Sequence, residues 1–204
     1  MRDHTSFPSR NSNLFRLEFK PMKRVVLTFG LISGAVSAGL MLAFIPFIDK
    51  IGFDKGFVLG YSAIVLSFLL VFFGIRSYRE NVGGGQISFG KAFTIGILIT
   101  VISCAFYAIT WQISFYAFFP DFFEKYANYA VSQMQKSGAS AQEIAAKTEE
   151  FKSMSTIYKN PILGALIVGI SEPFPVGLLV TLISSLILRK KARPVSEERL
   201  ATST

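Results

Sequence analysis

The chain has one cysteine, one histidine and one tryptophan, and only 17% of its residues are charged. A lone cysteine, Cys104, cannot close an intramolecular disulfide. His4 is far from it in the chain, so neither a Cys/His zinc site nor a cysteine–histidine nucleophile pair can be assembled. Cys104 falls in an apolar run and reads as packing. Lysine and arginine are absent from every long apolar run, and Glu172 is the one carboxylate inside any of them. A second acid, a serine–histidine pair and a metal cluster are all missing, so no catalytic residue, metal or cofactor is expected.

What is present is apolar. Of 204 residues 51% are hydrophobic, 21 of them phenylalanine, and they are gathered into runs long enough to cross a hydrocarbon core of about 30 Å at about 1.5 Å per residue. The formal net charge of +8 does not point to nucleic acid, because the cations flank the apolar runs, where orientation signals sit.

Residues 1–21 are polar and basic and are expected as a mobile tail. Met22-Lys23-Arg24 then stands before an apolar run in the manner of a start. A secretory signal with Val36-Ser37-Ala38 as its cleavage site is disfavoured, since the run continues to Ile48. Spans are expected at about 25–48, 57–75, 93–119 and 161–188, with a polar link from Asp49 to Gly56. Gly30, Gly34 and Ala38 recur every fourth residue on the first span. Such a small-residue stripe lets another helix approach closely, either within the chain or from a second copy.

Between spans two and three, Gly85 to Gly90-Lys91 is a near match to a phosphate-binding loop. Ala92 stands where a magnesium-binding hydroxyl belongs, and a membrane span follows. The glycines are read as a tight link, with Lys91 anchoring a helix at the headgroups. Tyr107, Trp111, Phe115, Tyr116, Phe118 and Phe119 are read as an interfacial aromatic belt. Residues 121–160 contain no spanning run. Phe122, Tyr126, Tyr129 and Ala130 fall at helical spacing, as do Ile144, Phe151, Met154 and Tyr158, and between the sets lie Gly138 and the capping box Ser140-Ala141-Gln142-Glu143. This reads as helix, turn, helix. Its aromatic faces could lie on the membrane, cover the bundle or meet a partner.

Cation counts set the orientation. If the chain crosses four times, 14 lysines and arginines fall on one side, and the 7 on the other are matched by seven acids. Both termini, including the tail at 192–204, are therefore expected in the cytoplasm, and residues 121–160 outside.

Three segments carry a resemblance: Gly74 to Glu80, Gly83 to Phe93, and Pro175 to Leu179 leading to Leu188-Arg189-Lys190-Lys191. Over roughly residues 22–191 the chain resembles an uncharacterised bacterial family of small four-span membrane proteins, a domain of unknown function. The resemblance implies an inner-membrane protein and supplies no activity, ligand or catalytic residue.

Ser171-Glu172-Pro173-Phe174-Pro175 lies in the middle of the fourth span, at about the depth of Ser37, Ser67 and Ser103 on the others. No cation is within a span to pair with Glu172, so the side chain is expected there largely protonated. Pro173 and Pro175 lack amide hydrogens and would leave the carbonyls of Gly169 and Ser171 without helical donors. Freed carbonyls beside a carboxyl resemble the broken-helix sites of transporters. The plainer role is a hydrogen bond from Glu172 to a serine or a freed carbonyl that fastens a kink.

The expected architecture is an all-α, integral membrane four-helix bundle over residues 22–191, with an extracytoplasmic helical hairpin between spans three and four. The expected function is a membrane-embedded interaction or assembly protein. Its partners are the lipid bilayer and a second copy or another membrane protein, with Gly30, Gly34 and Ala38 as the packing face, and no nucleic acid. The alternative is a small proton- or cation-coupled transporter or channel component built on Glu172, Ser171, Pro173, Pro175 and Gly169.

Overall fold

The computed structural model describes residues 10–190. Its elements are α1 (Arg10–Phe44), a single 3-10 turn (Ile45–Phe47), α2 (Ile48–Asn81), α3 (Phe89–Phe118), α4 (Phe122–Lys136), α5 (Ala141–Tyr158), α6 (Pro161–Ser171) and α7 (Pro173–Leu188). In hydrocarbon each backbone amide must be satisfied inside its own segment, so apolar runs of this length fold as helices. Four segments are long and apolar enough to cross a membrane: Lys20–Phe47, Lys50–Asn81, Phe89–Phe118 and Pro161–Leu188. Among the described residues the only β-type pairing is a bridge between Ile87 and Lys190.

Several expected boundaries shift. Residues 10–21 belong to α1, Pro21 included, whereas a tail was expected through residue 21; residues 1–9 and the tail at 192–204 lie outside the described residues. The expected link at 49–56 is largely helical and is interrupted at Gly52, whose φ of 72° is open to glycine at little cost. Polar residues there continue a helix because it has already been nucleated by the apolar run that follows.

The core lies where α2, α3 and α7 meet, around Phe68, Val71, Ile75, Ile95 and Ile99, all essentially inaccessible. α1 packs against α3 and α2, and α7 against α3 and α2. Close approach depends on glycine: a Cβ on Gly177 would overlap Thr100 Cγ2, and one on Gly96 would come 2.7 Å from Thr181 Cγ2. These contacts bring Thr100 and Thr181 to a 3.1 Å hydroxyl pair.

The small-residue stripe is used in the same way. Gly30 meets Ile102, and a Cβ on Gly34 would come 2.6 Å from Phe106 Cγ, so α3 of the same chain occupies that face. A second copy could use Gly30 and Gly34 only by displacing α3.

α4 and α5 form the expected helix–turn–helix, with Gly138 at φ 81° in the turn and both halves of the Ser140–Glu143 capping box present. Their aromatic faces cover one end of the bundle. Phe53 of α2 packs on Phe122, Tyr126 and Tyr129, Trp111 of α3 on Phe122, and Phe123 on Tyr158 with 4.5 Å between ring centroids. The aromatic belt is corrected in part: Tyr107 and Phe115 are buried, while Tyr116 and Phe118 stay exposed.

Candidate functional site

The fourth membrane segment is two helices, and Glu172 is the residue between them. Its φ of −104° and ψ of −69° stay in the right-handed region but depart from ideal helical values and kink the segment there; its amide still reaches the Val168 carbonyl at 3.2 Å. Pro173 then opens α7, where a missing amide hydrogen costs nothing. Continuing α6 through Pro173 and Pro175 would need two donors the chain does not have.

The break sets the Glu172 side chain against α3, where Tyr107 Oη donates a hydrogen bond to Oε2 at 2.7 Å. Tyr107 is 9% exposed and Glu172 is partly buried. Tyr107 was missed because it was read as part of the interfacial belt. A depth count would have found it. Tyr107 lies eleven residues from the end of α3 at Phe118, and Glu172 eleven from the start of α6 at Pro161. At about 1.5 Å per residue both sit about 17 Å from the same end of the bundle.

The five residues singled out around the carboxyl do not converge. Gly169 is buried close against Ala108 and the Cys104 carbonyl, and Pro173 is fully buried, so both pack behind the site. Ser171 and Pro175 are exposed and point away from the interior. Glu172 has Tyr107 as its partner, where a serine or a freed carbonyl was expected. Ser37 is buried, as are Ser67 and Ser103; these two use their hydroxyls on their own helices, bonding the carbonyls of Ile64 and Ile99. Cys104 is buried and unbonded, as its apolar run suggested.

Polar groups recur along α3 on either side of the pair. Towards α4 and α5, Gln112 Nε2 donates to the Tyr158 carbonyl at 3.2 Å, and Tyr116 Oη to the Lys159 carbonyl at 2.8 Å. Gln112 Oε1 and Trp111 Nε1 are buried and have no hydrogen-bond partner among the described residues. The Tyr158 hydroxyl, at the end of α5, is pushed up to about 12 by burial first and by the charge of Glu172 second. In the other direction these polar groups end on the Thr100–Thr181 pair.

At the far end of the bundle the three segments that carried the resemblance meet. Arg79 Nη1 reaches the Leu188 carbonyl at 3.4 Å, and Ile87 and Lys190 exchange backbone hydrogen bonds at 3.1 and 2.9 Å. Lys91 Nζ stands 5.8 Å from the Tyr78 ring centroid. Gly84 and Gly85, at φ 58° and 80°, turn the chain so that Ser88 can cap α3. The glycine loop makes a turn and a cap, not a phosphate cradle, and Lys91 is held over an aromatic face of its own chain.

Residues 28–190 match the family described as "Protein of unknown function (DUF4199)". The chain belongs to this family. The three converging segments fall within the matched region as far as Lys190, and so do Tyr107 and Glu172. Neither the curated proteins nor the solved structures include a significant match.

Proposed function

We infer that this DUF4199 protein is a multi-pass protein of a bacterial cytoplasmic membrane, with both termini inside and α4–α5 outside, and that it works as a small proton-coupled transporter or channel component. The cation asymmetry of the connections supports the orientation. The observation that carries the function is the Tyr107–Glu172 hydrogen bond at a helix break in mid-membrane. A carboxyl group is costly there and is a functional candidate by default. A phenol that aims its hydrogen at the carboxyl suits a group that gains and loses a proton. It suits a bare metal cation less well, because such an ion needs several oxygen lone pairs.

The interaction or assembly reading, which involves no catalysis either, keeps one specific support. The outer face of α2 is apolar and exposed at Phe57, Val58, Tyr61, Val65, Leu66 and Leu69. The two faces that the sequence pattern offered to a partner, the glycine stripe and the aromatic sides of α4 and α5, are instead filled within the chain.

The test is proton flux into liposomes under an imposed pH gradient, with inorganic and organic cations present, wild type beside Glu172→Gln and Tyr107→Phe. Flux that Glu172→Gln abolishes in a folded protein is expected. Equal flux in wild type and Glu172→Gln, or none in either, would remove the transport reading and leave the interaction reading.

A further inference from the structure

The break at Glu172 makes the two halves of the fourth segment pack differently. α7 lies against both α2 and α3, whereas α6 lies against α3 and has at most marginal contact with α2. The half of α2 that α6 leaves uncovered carries an open groove of about 680 Å³, lined by Phe57, Val58, Tyr61, Val65 and Leu69 among others. Tyr61 lies eleven residues from the start of the Lys50–Asn81 segment, as Glu172 lies eleven from the start of α6, so the groove reaches about the depth of the carboxyl pair. Glu172 itself is only partly buried.

We propose that Glu172 is the docking point for a lipophilic monovalent organic cation, which enters from the hydrocarbon along the α2 groove and competes with a proton for the carboxylate. The proposal rests on the reading of Glu172 as a proton site and names the substrate class of that site. Charge selects the class first. No lysine or arginine lies within residues 56–75, 92–118 or 161–188, so an ionised Glu172 has no cation of its own. The titratable groups around it are its hydrogen-bond partner, the Tyr107 hydroxyl on α3, with Cys104 three residues before it on the same helix, and the Tyr158 hydroxyl of α5, none of them positive near neutral pH.

Desolvation selects next. A small hydrated ion would surrender its water for one carboxylate and a hydroxyl that donates, which is too little. A large cation with delocalised charge loses little hydration, and its apolar body matches the groove. The rings of Tyr61 and Tyr107 add the negative faces that attract such a cation. Exchange is stoichiometric: the arriving cation binds the ionised carboxylate, and the proton formerly on Glu172 is released to solvent.

The experiment uses tetraphenylphosphonium as the probe and the full-length protein in lipid nanodiscs, with empty nanodiscs as the blank. Calorimetry in buffers of different ionisation enthalpy is expected to show saturable binding with about one proton released per cation. Affinity is expected to fall about tenfold per pH unit once Glu172 is protonated. Glu172→Gln is expected to lose binding, and Tyr61→Ala to weaken it about fivefold where Tyr61→Phe does not. Absence of saturable binding, binding without proton release, or equal binding by folded Glu172→Gln would overturn the proposal. Where Glu172→Gln does not fold, the pH dependence in the wild type decides.

A carboxyl infrared band that titrates in the wild type without probe and is missing in Glu172→Gln separates the two readings. With the band and no cation binding, the proton site stands and the cation proposal falls. Without a titrating band, both fall.

Discussion

Tyr107 and Glu172 are joined across two antiparallel helices at matched depth, each eleven residues from the end of the bundle that α4 and α5 cover, with 2.7 Å between phenol and carboxyl oxygens. The bond links the uninterrupted α3 to the one place where the fourth segment has no helical continuity. Tyr107→Phe keeps the ring and its packing and removes only the donor, so it is expected to destabilise the protein while leaving the fold. In a double-mutant cycle with Glu172→Gln the coupling should be about 1 kcal/mol, the range found for hydrogen bonds between membrane helices. Reversible unfolding in mixed micelles measures it. A coupling indistinguishable from zero would mean that the pair does not hold the break.

Glycine positions separate into tight and open ones, and substitution should follow that division. Gly34→Ala and Gly177→Ala each place a Cβ under 3.0 Å from a neighbouring side chain, Phe106 and Thr100 respectively, while at Gly39 nothing lies within 4 Å. The first two are expected to cost about 1–3 kcal/mol through overpacking. Gly39→Ala should be neutral or slightly stabilising, because alanine is the better helix former. Combining Gly34→Ala with Phe106→Ala should recover part of the loss, since the obstruction is one ring. Equal effects at all three glycines in the unfolding assay would contradict the helix pairing described for α1 and α3.

Much of this architecture was legible in the residues. Run length located the four membrane segments, and Gly138 with Ser140 and Glu143 located the α4–α5 turn, because those signals are local. Glu172 stood out for the same reason: one acid in an apolar run is visible without any fold. Tyr107 was not, since a tyrosine near an aromatic-rich span end is as compatible with the interface as with the interior, and only pairing between helices decides. The fates of Gly30 and Gly34 were hidden likewise, as a small-residue stripe has the same pattern whether it meets α3 or a second chain. Ser171 and Pro175 looked like site residues by adjacency, but on either side of a helix break neighbouring residues point in different directions.

The capping box of α5 gives a pH dependence outside the membrane. The Ser140 backbone amide, and then its hydroxyl, hold the Glu143 carboxyl below its ordinary value. A carboxyl depressed in the folded state contributes stability above its unfolded value and loses it as pH falls through the folded one. Amide exchange in the first turn of α5 should therefore quicken on acidification, after allowance for intrinsic exchange. Ser140→Ala should raise it about fivefold at neutral pH and leave a smaller response to acid, since the backbone amide at position 140 still bonds the Glu143 carboxyl. Unchanged protection in Ser140→Ala would show that packing of Phe151 and Tyr158, not the cap, holds that end of α5.

Arg79 ties the last turn of α7 to the last turn of α2, and its removal tests whether the three converging segments act as one clasp. The guanidinium is partly buried, reaches the Leu188 carbonyl and also pairs with Glu80 at 3.1 Å. A cation at a helix C-terminus is favoured by the exposed carbonyls there, and the adjoining Ile87–Lys190 bridge depends on α7 ending at that spot. Arg79→Gln should loosen the bridge, increasing deuterium uptake at Ile87 and Lys190 about three- to tenfold while uptake near Glu172 stays unchanged. Arg79→Lys should be intermediate, because an ammonium keeps the charge but cannot serve Leu188 and Glu80 together through a planar fork. Uptake that rises near Glu172 as well would mean that the clasp and the helix break are one cooperative unit. Uptake that stays at the wild-type level at Ile87 and Lys190 would mean that the backbone bridge stands without the arginine.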